Sequence, residues 1–297
     1  SRSADWARAA YSAVGPGRSP GIVKPDLLAF GGDAYRPEYF HVLTEGPRAQ
    51  LSPELGTSFA APFLLRSAVG IRAMLGADLS PLAIKALLIH GARNLDHPRS
   101  EVGWGKIPED MMDLITCPDG VARIVYQGEL KAGKYLRAPL PLPEGGLSGK
   151  VQIKATFCYA CPTDPQDSCS YTRAGLEVVF RPNKNNVKAG KSHANSKSFF
   201  SKKPYTTEAE ARSDLGKWET VLHSKIGTSG IYLDDPVFDI HYNAREAGHS
   251  ARLATKIRYA LIISVEAQKH PDLFNEVLKS YADLVSIRPK VSLPIRV

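Results

Sequence analysis

Cysteine is scarce in this chain, long apolar runs are missing, and one extended stretch holds no acidic residue. Four cysteines in 297 residues are too few for the disulfide framework that stabilises small secreted domains. Cys158, Cys161 and Cys169 lie close together. A zinc site usually needs two Cys-x-x-Cys pairs, or one pair and ligating histidines. One pair with no histidine at ligand spacing excludes that class, and neither a metal nor another cofactor is expected. A Cys161–Cys169 or Cys158–Cys169 disulfide suits an exported protein and free thiols suit a reducing compartment. Both stay open, and the sequence assigns no localisation. The longest apolar candidate, Phe59 to Leu75, is broken by Arg66 and Arg72, so no bilayer-spanning segment and no membrane partner are expected. No fixed-period repeat occurs, which excludes propellers and solenoids.

Between Arg181 and Lys203 there is no Asp or Glu, whereas Lys184, Lys188, Lys191, Lys197 and Lys202 are spaced among Asn, Ser, Gly and Ala. Such a composition buries little apolar area, so residues 181–204 are expected to form a basic, solvated, mobile loop. The net charge is +8, yet no base-reading module accompanies the lysines, and a nucleic-acid partner is not expected. An apolar fraction of 43% and a charged fraction of 23% are those of a globular protein, and the length has room for two domains.

What is present is chemically specific. Gly56-Thr57-Ser58-Phe59-Ala60-Ala61-Pro62 reads as a nucleophilic serine delivered at the start of a helix. Gly56 permits the sharp entry and close approach of a substrate chain. Small residues follow the serine, Pro62 suits a first helical turn, and Phe63 to Leu75 continues as a packed central helix. A Ser or Thr N-cap without catalytic meaning is the plainer alternative. His41, in a loop-like stretch, is misplaced to be the base. His90, at the end of an apolar helix, suits a charged residue favoured by the helix dipole.

The Gly56–Pro62 string resembles the catalytic-serine motif of the subtilisin-like serine peptidases, the subtilase superfamily. Three further regions resemble that family in its own order: Ala10–Gly17, Ile22–Gly31 (with Phe30 where Pro is usual), and Ser80–Leu88 followed by Gly103–Ile107, where the usual Asn is absent. The resemblance spans residues 10–115. It implies an α/β fold, the C-terminal part of a parallel-sheet peptidase domain, with Ser58 as nucleophile and Thr57 supporting the oxyanion. It also implies that the Asp, the His and the oxyanion Asn precede residue 10. The chain begins Ser1-Arg2-Ser3 without Met, which fits a C-terminal fragment of a serine endopeptidase, inactive by itself, whose parent cleaves protein or peptide substrates.

From residue 116 the pattern changes. Short β-rich runs split by Gly and Pro (Val121–Leu130, Tyr135–Leu142, Lys150–Tyr159, Leu176–Phe180, Lys217–Ile226, Ile231–Leu233, Val237–Tyr242, Thr255–Val265 and Lys290–Val297) predict an all-β sandwich of jelly-roll type over 116–297. Two helices are expected, Thr206–Leu215 and one following Asp272. Two other function classes stay open. One is a pseudo-peptidase that has lost its base. The other is a binding module, for which Trp218, Tyr232 and Tyr242 are candidate aromatic contacts. An open edge of the truncated parallel sheet predicts self-association.

Overall fold

The computed structural model describes residues 6–17, 22–33, 39–167, 171–200, 207–212, 216–245, 255–281 and 283–287. The expected strand Lys290–Val297 and residue Cys169 lie outside this set.

The N-terminal third is built on two helices. Helix α1 spans Thr57–Leu75 and α2 spans Pro81–Gly91. Ser80 caps α2 by accepting from the Ala83 N–H at 3.2 Å, and Pro81 occupies the first turn, where an N–H would have no partner. Ala83, Ala86, Leu87, Leu88 and Ile89 of α2 are all buried. Before α1 comes an antiparallel hairpin, β1 (Phe40–Thr44) and β2 (Gln50–Glu54), in the stretch expected to be a loop. Phe40 explains it, because its ring stacks on Phe59 at 5.5 Å and meets Phe63 edge-on, which anchors β1 to α1.

Two short helices, α3 (Arg99–Val102) and α4 (Met112–Ile115), lead into seven strands: β3 (Val121–Leu130), β4 (Tyr135–Pro139), β5 (Lys150–Tyr159), β6 (Ala174–Arg181), β7 (Val221–Ser229), β8 (Val237–Ala244) and β9 (Ile257–Ala267). They make a four-stranded sheet ordered β3-β9-β5-β7 and a three-stranded sheet ordered β4-β8-β6, antiparallel throughout. Successive strands alternate between the sheets, so no two consecutive strands are hydrogen-bonded neighbours.

One core joins the two sheets. Alternate residues of β5 (Ile153, Ala155, Phe157) and β9 (Leu261, Ile263, Val265) meet Leu176 and Phe180 of β6 and Phe238, Ile240 and Tyr242 of β8. The intervening residues face the other way. Cys158, Ala260 and Ile262 pack against Ile84, Leu87 and Leu88 of α2. The four-stranded sheet is thus buried on both faces, which accounts for the unbroken apolar run in β9. The protein is three layers deep, with helices on a sheet on a second sheet.

Several expectations are corrected. No parallel sheet forms among the described residues; parallel pairing is confined to the single bridges Leu28–Lys106 and Asn183–Asp234. A parallel sheet is assembled from strand–crossover–strand units, and residues 22–33 and 93–107 supply only isolated extended pieces. Ile231–Leu233 is not a strand. Gly230–Tyr232 forms a single 3-10 turn that places Leu233 in the core and leaves Ile231 and Tyr232 exposed. The helix expected at 206–215 is the short α5, Glu208–Ala211. The one after Asp272 is α6, Leu273–Ser280, with Leu273 and Val277 buried. Within the basic stretch, Phe199 and Phe200 are buried in the sandwich core, where Phe199 meets Phe180 and Phe238 edge-on, while Lys184, Lys188, Lys191 and Lys197 stay exposed.

Candidate active site

Three segments separated in sequence converge at the N-terminus of α1. Gly56 enters the helix at φ 155°, ψ 154°, and its N–H donates to Gly31 O at 2.8 Å. The Tyr11 hydroxyl donates to Gly31 O (2.8 Å) and Gly32 O (2.7 Å), tying residues 10–17 to the same turn. Burial pushes the Tyr11 phenol above its ordinary pKa, with the Asp33 carboxylate acting in the same sense, so it is a neutral donor at physiological pH. Gly31 has no room for a side chain. A Cβ there would lie 2.7 Å from Gly56 O and 3.2 Å from the Ala60 Cβ. The small residues at 31, 56 and 60 therefore let three backbones meet.

Thr57 and Ser58 begin the helix and are exposed. The Phe59 and Ala60 N–H groups already bond to Gly56 O, while the first-turn N–H of Ser58 has no carbonyl within the helix to reach. No acidic side chain occupies the first turn, so the positive end of the helix dipole is left uncompensated beside the hydroxyl. Pro62 falls in the second helical turn, not the first as expected, because the helix already begins at Thr57. Lacking an N–H, it leaves the Ser58 carbonyl without its usual intrahelical donor.

Among the described residues, no histidine or carboxylate is hydrogen-bonded to Ser58, and no complete triad is assembled. His41 lies on β1, exposed, next in sequence to the inward-facing Phe40, so the strand alternation turns it away from α1. No group of three or more His, Cys, Asp or Glu residues suited to a metal ion occurs among the described residues.

Helix α1 is not the buried central helix expected. Ile71 is its one buried residue, and Phe63, Leu65 and Val69 are 40%, 62% and 60% exposed. A groove of about 620 Å³ between α1 and α2 is lined by Leu64, Ala68, Arg72, Ile84, Lys85 and Leu88 among others. By length and composition alone α1 is also apolar enough to cross a bilayer, Arg66 and Arg72 notwithstanding.

His90 is corrected as well. It is 1% exposed and held neutral, well below its ordinary pKa, by burial and by Lys154, His223 and Arg123. A charged histidine serving the dipole is therefore excluded. Cys158 is buried, its thiol pushed up to about 12 by burial, and Cys117, Cys158 and Cys161 are free thiols. Of the three candidate aromatic contacts, Trp218 and Tyr242 are core residues and Tyr232 is exposed. Tyr11 lay inside a segment singled out in the sequence, but nothing local marked it as the clasp. Its partners are some twenty residues away.

Residues 4–105 match the model of the subtilase family, peptidase S8, and that part of the chain carries a subtilase-family domain. No curated protein matches the chain. Among solved structures, the VP2 subviral particle of infectious bursal disease virus aligns at 10% identity over 57% of this chain and 34% of that one, with a TM-score of 0.29. The Gx strain of the same virus aligns at 8% identity over 51% and 33%, with a TM-score of 0.28. The chain thus spans about a third of the length of these structures, and scores of this size carry no argument about fold or function.

Proposed function

We propose that this chain is the C-terminal part of a subtilisin-like serine endopeptidase in which Ser58 is the nucleophile. The observation that carries the reading is the convergence of residues 10–17, 22–33 and 56–60 on a helix start that presents an exposed serine. In the intact parent, a histidine from upstream of residue 10 takes the Ser58 proton while Oγ attacks a peptide carbonyl. The amine leaves, and water then hydrolyses the acyl-enzyme. The Ser58 N–H and the uncompensated end of α1 stabilise the oxyanion, and Thr57 supports the same site. The uncovered apolar face of α1 supports the fragment reading, since a parent peptidase supplies a layer to pack there.

Residues 1–115 are read as the peptidase portion and 116–297 as a β-sandwich domain, with Lys184, Lys188, Lys191 and Lys197 on a mobile loop; residues 201–204 of that expected loop lie outside the described set. The alternation of strands between sheets supports a jelly-roll reading of the sandwich. The bridge between Phe180 and Lys197 falls beside β6, where an eighth strand would complete the smaller sheet. The absence of a base hydrogen-bonded to Ser58 among the described residues equally supports a pseudo-peptidase. Reaction with a fluorophosphonate probe separates the readings. The chain alone is expected to stay unlabelled. The parent carrying its upstream region is expected to label at Ser58, and to lose labelling and casein digestion in Ser58→Ala. Labelling of the isolated chain, or an active Ser58→Ala parent, would overturn the proposal. A parent that never labels selects the pseudo-peptidase.

A further inference from the structure

The buried seam between α2 and the four-stranded sheet is polar at one end, and the polar groups are histidines. His90 Nδ1 lies 2.9 Å from Thr156 Oγ1 on β5, and its Nε2 lies 2.7 Å from Ser264 Oγ on β9. Thr156 Oγ1 continues the chain to His223 Nδ1 on β7 at 2.7 Å. Arg123 on β3 donates through Nε to Ser264 at 3.4 Å, and Lys154 on β5 donates to the His90 carbonyl at 2.7 Å. One hydrogen-bonded row therefore crosses all four strands and is completed by a single side chain from α2. Trp104 packs edge-on against His223 at 5.4 Å, and the Arg99 guanidinium lies over the indole, 4.5 Å from the ring centroid.

The charged side chains acting on the two imidazoles share one sign. Lys154 and Arg123 act on His90, and Lys154, Arg99 and Lys225 act on His223. Arg93, Arg123 and Lys225 in turn press on Lys154, whose ammonium burial and these neighbours push down to about 8. Against them stand Glu266 on β9, which acts on Lys154, and Cys117, which acts on Arg123. Among the described residues, no carboxylate acts on either imidazole. The row is satisfied when both rings are neutral, and a proton on either ring is a buried charge with only cations to meet it.

We propose that His90 and His223 form an acid-sensitive latch, closed at neutral pH, that loosens the hold of the sandwich on α2 in mildly acidic solution. The closed form holds His223 down to about 3 and His90 well below its ordinary value. Once α2 lifts, water reaches both rings and they return to about 6.5. Below that pH the open form binds more protons, so closure weakens as pH falls. Each histidine raises the opening equilibrium about tenfold between pH 7.5 and 5.5, and the pair about a hundredfold.

Hydrogen exchange of the α2 amides in the full chain, corrected for intrinsic rates, tests this. Wild-type protection is expected to fall by roughly a hundredfold across that range, and by about tenfold in each of His90→Asn and His223→Asn. The double variant is expected to show no pH dependence. Proton NMR of the wild-type imidazoles provides a readout that needs no variant. Two ring signals should stay neutral until α2 protection is lost. Unchanged α2 protection in the wild type at pH 5.5, an equal pH dependence in the double variant, or titration of both rings near 6.5 with α2 still protected would each overturn the latch.

Discussion

Phe238 sits at the hub of the sandwich core, and its removal separates two kinds of instability. The ring is fully buried on β8 and lies 4.9 Å from Phe180, 5.0 Å from Phe199 and 6.4 Å from Phe200. Its strand is hydrogen-bonded on both sides, to β4 and β6, so the protein cannot escape the loss by moving β8. Phe238→Ala should cost the usual ~3–5 kcal/mol of a core phenylalanine. That is a large part of the roughly 5–15 kcal/mol that holds an ordinary domain together. Phe199→Ala should behave differently. Phe199 is reached by the Lys-rich stretch whose residues 184–193 are exposed, and that stretch can let go without unfolding the sheets. Opening it becomes easier by the ~1.5–3 kcal/mol gained from burying the ring, while global stability changes less. Cleavage that follows the open population should then accelerate roughly tenfold to a hundredfold. Urea unfolding followed by circular dichroism reads the first effect. Trypsin digestion with mass-spectrometric assignment of cuts at Lys184, Lys188, Lys191 and Lys197 reads the second. The reasoning fails if Phe199→Ala is cut no faster than wild type, or if Phe238→Ala loses less than about 1.5 kcal/mol, below the range for a buried ring.

Gly103 and Gly76 both have positive φ (61° and 96°), but a Cβ at Gly103 would run into the Pro25 carbonyl whereas nothing lies near Gly76. Both alanine variants should be destabilised by the ~1–3 kcal/mol of backbone strain they introduce, and Gly103→Ala by a further ~1–3 kcal/mol from overpacking. Equal urea midpoints would show that the 25–28 turn is not held against Gly103. Cys158, fully buried with its thiol at about 12, should resist an aromatic disulfide reagent in native protein at pH 8 and react only on unfolding; rapid native labelling would contradict the packing under α2.

Much of the local structure was legible in residue order. Phe238, Ile240 and Tyr242 alternate with Asp239 and His241, and the strand does bury the first set, while Asp239 pairs with Arg137 and Arg181 outside. The Ser80–Leu88 segment, singled out by its resemblance, is the capped start and body of α2. In the candidate site, the Gly56–Pro62 string pointed to a serine at a helix start because the small residues and the turn glycine act within one turn of chain. The clasp from Tyr11, the hairpin anchored by Phe40 and the second-turn position of Pro62 were not legible, since each depends on where another segment lies.

The sequence by itself determined which residues alternate, which positions admit a turn and where a serine could stand free, all consequences of covalent geometry and solvation acting over a few residues. Tertiary structure alone decided that α2 is what covers the outer face of β9, that α1 is left largely bare, and that His90 ends against Thr156 and Ser264. Those outcomes depend on contacts between residues up to 174 apart in the chain. No local pattern encodes them, because burial and the neutral state of an imidazole are properties of the surroundings the fold brings to it.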